Sequence, residues 1–242
     1  MIEKKILEII IQKIKQNNIK IICIDGITCS GKTHFSKLLD KQLKKKIKNT
    51  QIVSKDLFLY SRVQRIKLIP KFSLHPKNNQ GYLHYNQSKI NLLLFSIKNK
   101  KKIIFKNLYN RKNGKNNLKM TFDFRKTNMI ILEGLYSLEN IKNFKNEIYS
   151  ILIYENIYNC LIRKIIRIRD KKISIQNVIT EFTNLHLNSF LYYLKKFHFK
   201  EKFFHIGPPR DFDVFNDFKN NQSTDISSSQ YLLCTGLFDD HD

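Results

Sequence analysis

The stretch Ile19-Lys-Ile-Ile-Cys-Ile-Asp25 runs directly into Gly26-Ile-Thr-Cys-Ser-Gly-Lys32-Thr33. Its first half is a short, β-branched and nearly continuous apolar run, which is typical of a strand buried on both faces of a parallel sheet. Its second half fits the pattern GxxxxGK[ST]. Because a helical pattern follows over residues 32–46, the order of strand, loop and helix predicts a phosphate-binding loop.

The chemistry of such a loop depends on its backbone. Two glycines let the chain curl so that successive amide N–H groups form an anion nest, which the positive end of the helix dipole completes. Lys32 is expected to reach the β- and γ-phosphates of a nucleotide, and the Thr33 hydroxyl to ligate Mg²⁺. ATP and Mg²⁺ are therefore the expected cofactors. The predicted nucleotide-binding residues are Gly26, Ile27, Thr28, Cys29, Ser30, Gly31, Lys32 and Thr33.

The composition is strongly basic. Among 242 residues there are 44 Lys and Arg against 20 Asp and Glu, which gives a formal net charge of +24. The hydrophobic fraction of 42% supplies apolar surface for a core, which excludes an acidic disordered protein. A positive field attracts phosphorylated molecules and nucleic acid, but the lysines are scattered and no aromatic–basic motif accompanies them. We expect a small-molecule partner and no nucleic-acid partner.

Cysteine spacing and apolar runs limit the class of protein further. The isolated residues Cys23, Cys29, Cys160 and Cys234 form no CxxC pair, which excludes a disulfide scaffold and a zinc ribbon. The N-terminal apolar residues have helical spacing rather than that of a signal peptide. No later apolar run reaches the roughly 18 to 20 residues of a membrane span. The sequence predicts a cytoplasmic protein with no membrane partner, and it leaves a homo-oligomer open.

Further apolar runs alternate with helical patterns along the chain. This alternation predicts an α/β fold with a doubly wound parallel sheet flanked by helices. The polar stretch 107–127 is expected to be an inserted hairpin or loop on the substrate side. The additional strands are expected at 51–54, 102–105, 128–134 and 149–154, and a helix at 89–97.

The domain organisation follows from these patterns. We expect an N-terminal helix over residues 1–18 and a catalytic domain over 19–206. The polar tail, 207–242, is expected to be poorly ordered. Two helical patterns, 156–169 and 174–193, predict a helical lid at about residues 156–196.

Two carboxylates follow predicted core strands. Glu133 ends the run Met129-Ile-Ile-Leu-Glu133, and it is the candidate ligand for Mg²⁺ or its bound water. Asp56 follows the strand at 51–54, where it is placed to accept a proton from an attacking hydroxyl. The competing interpretations are a surface glutamate at a strand end for Glu133 and a helix N-cap for Asp56.

In the order and spacing of these features the chain resembles the P-loop small-molecule kinases of the uridine kinase and phosphoribulokinase family. The resemblance covers roughly residues 19–202. It implies a P-loop NTPase fold and transfer of the γ-phosphoryl of ATP to a hydroxyl of a small molecule, with uridine, cytidine or another nucleoside as the expected acceptor. The matching landmarks are the loop at 26–33, the segment 56–60, Tyr109, the strand 130–135, the basic helix ending in Arg169-Asp170 and the segment 174–182.

The resemblance also implies residue roles. Asp56 would be the general base, Lys32 and Thr33 would bind phosphate and Mg²⁺, and Glu133 would lie in the metal region. One or more lid arginines would close over the transferring phosphoryl, because guanidinium groups and exclusion of water stabilise its transition state. The basic pattern fits Arg163, Arg167 and Arg169 in two registers, and the expected catalytic set is Asp56, Lys32, Arg167 and Arg169.

On the acceptor side the chain departs from the uridine kinase pattern. His84 alone remains of an Asp-His-Pro-Asp segment, Tyr109 alone remains of a Tyr-Asp and His-Arg segment, and Glu181 stands in place of a lid-side Gln. We expect His84 and Tyr109 to contact the acceptor. Arg62 and Arg65 are candidates for holding an anionic acceptor such as a sugar phosphate, with ordinary surface arginines as the competing interpretation.

Three other functions remain open from the sequence. The first is a phosphoribulokinase-like sugar-phosphate kinase. The second is a nucleoside monophosphate kinase, which Ile24-Asp-Gly26 at the start of the loop suggests. The third is a degenerate nucleotide-binding protein that has lost catalysis and uses its positive charge.

Overall fold

The strands of the computed structural model form one large sheet and one separate hairpin. The structure describes residues 7–8, 10–14, 19–68, 84–137, 147–168, 174–191, 203–206 and 231–235. The strands are β1 (Ile21–Gly26), β2 (Thr50–Ser54), β3 (Lys102–Asn110), β4 (Lys115–Asp123), β5 (Met129–Glu133), β6 (Ile148–Tyr154), β7 (Phe203–Ile206) and β8 (Tyr231–Thr235). The large sheet has the order β2-β5-β1-β6-β8-β7 with every pairing parallel, whereas β3 and β4 pair with each other. The predicted α/β fold with a parallel sheet is confirmed.

Helices connect and cover these strands. The helical residues 7–8 and 10–14 are named α1, and they lie within the predicted N-terminal helix. The helices that start at Gln87 and Ile175 each follow a residue whose side chain caps the helix, because Asn86 and Ser174 accept hydrogen bonds from the amides of Lys89 and Asn177. The remaining helices are α2 (Lys32–Leu43), α3 (Arg62–Leu68), α4 (Gln87–Lys98), α5 (Ile157–Ile168) and α6 (Ile175–Glu181), with a 3₁₀ turn at Lys55–Phe58 and a π-helical turn at Phe182–Leu187.

Burial on both faces of the sheet explains why its central strands read as continuous apolar runs. All six residues of β1 are buried. Ile22 and Ile24 point to the face covered by α1 and α2, where they join the cluster that contains Phe35. Cys23 belongs to the cluster on the opposite face. Successive strand residues therefore alternate between two hydrophobic cores, so apolar residues occupy consecutive positions of the strand.

The second core joins the hairpin to the large sheet. Phe105 of β3 contacts Phe58 of the 3₁₀ turn edge to face, with ring centroids 5.3 Å apart, and Phe122 of β4 lies 5.9 Å from Phe105. Leu93 and Leu94 of α4 belong to the same cluster. This packing fixes the hairpin beside the carboxyl end of β2.

The hairpin corrects one expectation. Residues 102–105 were predicted as a strand of the main sheet, but they begin β3 and pair antiparallel with β4. In this stretch Lys102 and Ile104 are exposed while Phe105 is buried, so one face meets the core and the other faces outward. A one-sided strand of this kind suits an antiparallel hairpin better than a doubly covered parallel sheet. The predicted insertion over 107–127 therefore begins earlier, at Lys102.

The predicted tail contains a strand. Within 207–242 the structure describes β8 (Tyr231–Thr235), which lies between β6 and β7 in the large sheet. The expectation of poor order for residues 207–242 stays a prediction. Among the described residues no helix combines the length and the apolar character that crossing a bilayer requires.

Truncation of a core leucine tests the double-sided core. Leu132→Ala in β5, where the side chain is 1% exposed, is expected to lower the free energy of unfolding by about 2 to 5 kcal/mol. Leu92→Ala is the matched control, because Leu92 is 48% exposed on α4. Chemical denaturation of both variants measures the difference, and equal losses would contradict the assignment of the core.

Candidate active site

A cleft of about 290 Å³ lies at the carboxyl edge of the large sheet. Because the strands are parallel, β1, β2 and β5 bring the residues that follow them to this edge together. The cleft is lined by eleven residues predicted from the sequence, namely Thr28, Cys29, Gly31, Lys32, Thr33, Asp56, Arg65, His84, Tyr109, Glu133 and Arg167. Three other predicted residues, Gly26, Ile27 and Ser30, belong to the same loop but do not line the cleft. Arg62 does not line the cleft either, and Arg169 lies outside the described residues.

The phosphate-binding loop has a backbone that only particular residues tolerate. Gly26 has a φ of +152°, and a Cβ there would lie 2.4 Å from the Ile153 carbonyl oxygen. Gly31 has a φ of +91° and Cys29 a φ of +64°. These left-handed residues curl the loop between β1 and α2, which is the conformation that turns backbone amides toward a bound anion.

Positive charge is concentrated at the start of α2. Gly31 is the N-cap of the helix and provides no side-chain cap, so the first amides of α2 are not capped by a side chain. The buried Lys32 ammonium donates hydrogen bonds to the carbonyl oxygens of Gly26 (2.9 Å) and Ile27 (2.7 Å). The helix N-terminus and this ammonium together fit the phosphate groups of ATP.

A buried carboxylate ties the loop to the segment after β5. Asp25 Oδ1 accepts hydrogen bonds from the amides of Gly26 (2.7 Å) and Tyr136 (3.0 Å). Lys55 Nζ donates to the Tyr136 carbonyl at 2.7 Å. A Cβ at Gly134 would lie 2.6 Å from Lys55 Cβ. These contacts hold the ends of three strands at fixed positions, since a bulkier residue at 134 would push them apart.

Thr33 and Glu133 form the candidate magnesium site. Thr33 Oγ1 donates a hydrogen bond to Glu133 Oε2 at 3.2 Å. Burial raises the pKa of Glu133, and the nearby Asp56 carboxylate raises it further. Such a site gains from a cation that neutralises the two carboxylates, and oxygen ligands suit Mg²⁺. The described residues hold no group of three or more His, Cys, Asp or Glu that could bind a metal, and Mg²⁺ in kinases needs only one or two protein ligands beside phosphate.

Asp56 lies beside this site, in the first turn of the 3₁₀ helix. The Tyr85 hydroxyl donates a hydrogen bond to Asp56 Oδ1 (3.3 Å), and the Arg111 guanidinium lies 4.0 Å from Asp56 Oδ2. Burial raises the pKa of Tyr85 well above its usual range, so the phenol stays a hydrogen-bond donor. The Asp56 side chain is 39% exposed, which leaves the carboxylate accessible from the cleft. The position fits a general base for a hydroxyl bound in front of it.

The cleft contains Arg65, beside Tyr109, rather than Arg62. Arg65 donates from Nη2 to the Tyr109 hydroxyl (2.8 Å) and from Nε to the Tyr60 carbonyl (3.1 Å). Arg62 instead lies against the hairpin turn, where its amide donates to the Gly114 carbonyl at 2.9 Å. The residues are three positions apart on α3, and the orientation of this helix decides which one enters the cleft.

Helix α5, within the predicted lid, likewise separates two arginines. Arg163 Nη1 lies 3.2 Å from Glu155 Oε2, and the Glu155 side chain is 1% exposed. Arg167, one turn later, lines the cleft. Arg163 therefore compensates a buried carboxylate, whereas Arg167 is the arginine of α5 that lines the cleft.

The cleft residues that were not predicted to bind anything include Arg111, Tyr85 and His186. Arg111 follows Tyr109 by two positions at the end of β3, and this period of two could have indicated that both face the same side. Tyr85 directly follows His84 and gave no separate signal. His186 lies in the π-helical turn, where the irregular period hides its orientation from the sequence.

Comparison with known proteins establishes the fold. Neither a protein-family model nor a curated protein matches the chain. Among solved structures, one described as a possible uridine kinase from Bacillus stearothermophilus has a TM-score of 0.56 at 16% sequence identity, covering 80% of this chain and 90% of its own. A D-glycerate 3-kinase from Cryptococcus neoformans has a TM-score of 0.53 at 10% identity, with coverages of 78% and 89%. The chain has the P-loop fold of the uridine kinase type, as the resemblance implied.

Because His84 is buried in the cleft, we expect the stability of the protein to depend on pH. Burial, and next the Arg65 charge, lower the pKa of His84 to about 4, while an unfolded histidine titrates near 6.5. Below pH 6.5 the unfolded chain gains a proton that the folded chain does not, so stability falls with pH until about pH 4. Between about pH 7 and about pH 5 we expect His84 to remove about 2 kcal/mol of unfolding free energy.

His84→Gln is expected to abolish this part of the loss. His34→Gln, at an exposed residue of α2, serves as the control and should keep it. Urea denaturation of the three proteins at both pH values measures the effect. The assignment is wrong if wild type and His84→Gln lose the same free energy.

Proposed function

We propose that this protein is an ATP- and Mg²⁺-dependent kinase that phosphorylates a hydroxyl of a small molecule. The observation that carries the proposal is the convergence on one cleft of Lys32, the Thr33–Glu133 pair and Asp56. These residues come from three different strand ends, and together they provide phosphate binding, a metal site and a proton acceptor. The P-loop fold supports the same activity.

At the nucleotide end of the cleft, charged side chains surround the expected position of the phosphate groups. When bound, Mg²⁺·ATP supplies the transferable phosphoryl group. Lys32, held at the loop by two carbonyl oxygens, provides a fixed positive charge for the phosphate oxygens. Thr33 and Glu133 are the residues that would hold Mg²⁺ or its water. Arg167 approaches from the lid, where it stabilises negative charge on the transferring group.

The acceptor end moves the proton. Asp56 accepts the proton of the attacking hydroxyl, which raises the nucleophilicity of the oxygen as the bond to phosphorus forms. Tyr85 and Arg111 fix the orientation of the carboxylate from two sides. Direct in-line transfer is then expected, because Asp56 and the phosphate-binding loop line the same cleft. The acceptor oxygen would bond to the γ-phosphorus while the bond from that phosphorus to the β–γ bridging oxygen breaks, and ADP would leave without a covalent enzyme intermediate.

Two acceptor classes have support. The sequence resemblance favours a nucleoside such as uridine or cytidine. Arg65 and Arg111, both lining the cleft, favour the second candidate, an acceptor with its own negative charge such as a sugar phosphate. The solved structure of the same fold from Cryptococcus neoformans is described as a kinase of D-glycerate, which is an anion.

Removal of the loop ammonium is expected to stop turnover. Lys32→Ala should lower kcat/KM by at least about 10²-fold, because the phosphate site loses its fixed charge. Lys37→Ala, at an exposed position of the same helix, should leave the rate unchanged. ADP release with Mg²⁺ and a panel of nucleosides, nucleotides, sugar phosphates and pantothenate measures the rates. If Lys32→Ala retains full activity, the loop does not serve the reaction.

Neutralising Asp56 tests the general base. Asp56→Asn should lower kcat by about 10²- to 10⁴-fold while nucleotide binding is retained. Asp123→Asn is the matched control, because Asp123 pairs with Arg125 on the surface and does not line the cleft. An unchanged kcat in Asp56→Asn would rule out this role. ATP binding without acceptor-dependent ADP release by the wild-type protein would favour the nucleotide-binding protein over the kinase.

A further inference from the structure

Three cleft residues have no task in the transfer itself. Arg65, His84 and His186 all line the cleft on the acceptor side. Besides burial, the Arg65 charge and then the His186 charge lower the pKa of His84, which agrees with the position of all three residues in the same cleft. They come from α3, the segment before α4 and the π-helical turn, and only the folded chain brings them together.

Arg65 brings a positive charge that the described part of the chain does not neutralise. Its hydrogen bonds go to a hydroxyl and a carbonyl oxygen, and it forms no ion pair with a carboxylate of a described residue. Two of its five N–H donors are used in these bonds. The guanidinium carbon also lies 4.9 Å from the centre of the Tyr109 ring, which fixes the plane of the group. A guanidinium oriented in this way is suited to a carboxylate or a phosphate.

His84 adds a polar atom that lacks a partner. The side chain is 6% exposed, and its Nε2 has no hydrogen-bond partner in the described part of the chain. Burial lowers the pKa of the ring to about 4, so the imidazole is neutral under ordinary conditions. A buried polar atom without a partner costs free energy, which a ligand that bonds to it would recover.

A contact with Glu181 orients the His186 side chain. Its Nε2 lies 3.1 Å from Glu181 Oε1, and the same carboxylate oxygen lies 3.3 Å from Lys164 Nζ. Lys164 thus offsets the charge of Glu181, and the two together add no net charge near the cleft. The contact of His186, and then the charges of His186 and Lys164, hold the pKa of Glu181 at about 2. Besides Arg111, which faces Asp56, the charge that remains on this side of the cleft is that of Arg65.

We propose that Arg65, His84 and His186 form a subsite for an oxyanion group, carboxylate or phosphate, on the acceptor molecule. The inference rests on the proposed kinase function and names its substrate class. Arg65 binds the anion with its free donors, and the two imidazoles contact the group or the atoms next to it. A neutral acceptor would leave the arginine and the Nε2 of His84 without partners, and a site built in this way rejects it. Arg111 faces Asp56 at 4.0 Å, and we therefore assign it to the reacting hydroxyl rather than to this subsite.

Matched acceptors test the subsite through turnover. We expect glycerate and glycerol 3-phosphate to exceed glycerol, or ribose 5-phosphate to exceed ribose and uridine, by at least about tenfold in kcat/KM. Arg65→Gln should remove this preference mainly through KM. Lys67→Gln, which removes a positive charge from an exposed position on the same helix, should keep it. Turnover of neutral acceptors with equal efficiency, or an unchanged preference in Arg65→Gln, would overturn the proposal.

A binding experiment separates the subsite from the kinase activity. With a non-hydrolysable ATP analogue and Mg²⁺ saturating the loop, titration calorimetry measures binding of inorganic phosphate and of acetate, which distinguishes phosphate from carboxylate. Arg65→Gln and His186→Gln should each weaken binding by at least about threefold, the first by about tenfold, while Lys67→Gln binds as wild type does. Binding that depends on Arg65 without acceptor-dependent ADP release would contradict only the kinase function. No binding, or equal binding in all variants, would overturn the subsite.

Discussion

The buried carboxylate of Asp25 is the interaction on which the rest of the site depends. It lies at the end of β1 and is 0% exposed, so its charge must be met by the protein. The amides of Gly26 and Tyr136 bond to it from two neighbouring strand ends. An ionised group without such partners would be very costly, and these two bonds tie the phosphate-binding loop to the segment after β5. The distance between the loop and Glu133 follows from that requirement.

This constraint divides the cleft into two electrostatic halves. At the nucleotide end, Lys32 and the start of α2 provide positive charge, while Glu133 and Asp56 provide the oxygen atoms that a cation would balance. At the acceptor end, the net charge is that of the arginines, because Lys164 offsets Glu181. The formal charge of +24 spread over the chain does not distinguish these halves. Only the pairing of individual side chains does so, and it leaves Arg65 as a charge available to a ligand.

Much of the fold could be predicted from the sequence because the strongest signals are local. The loop at 26–33 combines two glycines, a lysine and a threonine whose spacing is fixed by the backbone they must form, and the structure places them at the end of a fully buried strand. The prediction that residues 102–105 belong to the main sheet was wrong, because a short β-branched run looks the same in a parallel sheet and in a hairpin. Their partner, β4, lies beyond a turn, and no local pattern reveals which face will be covered.

The sequence by itself determined the phosphate-binding loop, the α/β alternation and the two carboxylates at strand ends, since each depends on neighbouring residues and on the direction of one strand. Tertiary structure decided which of two similar arginines enters the cleft. Arg65 enters and Arg62 does not, and Arg167 enters while Arg163 binds the buried Glu155. These choices depend on the rotation of α3 and α5 about their axes, which is set by packing between segments far apart in the chain, and no spacing within either helix encodes it.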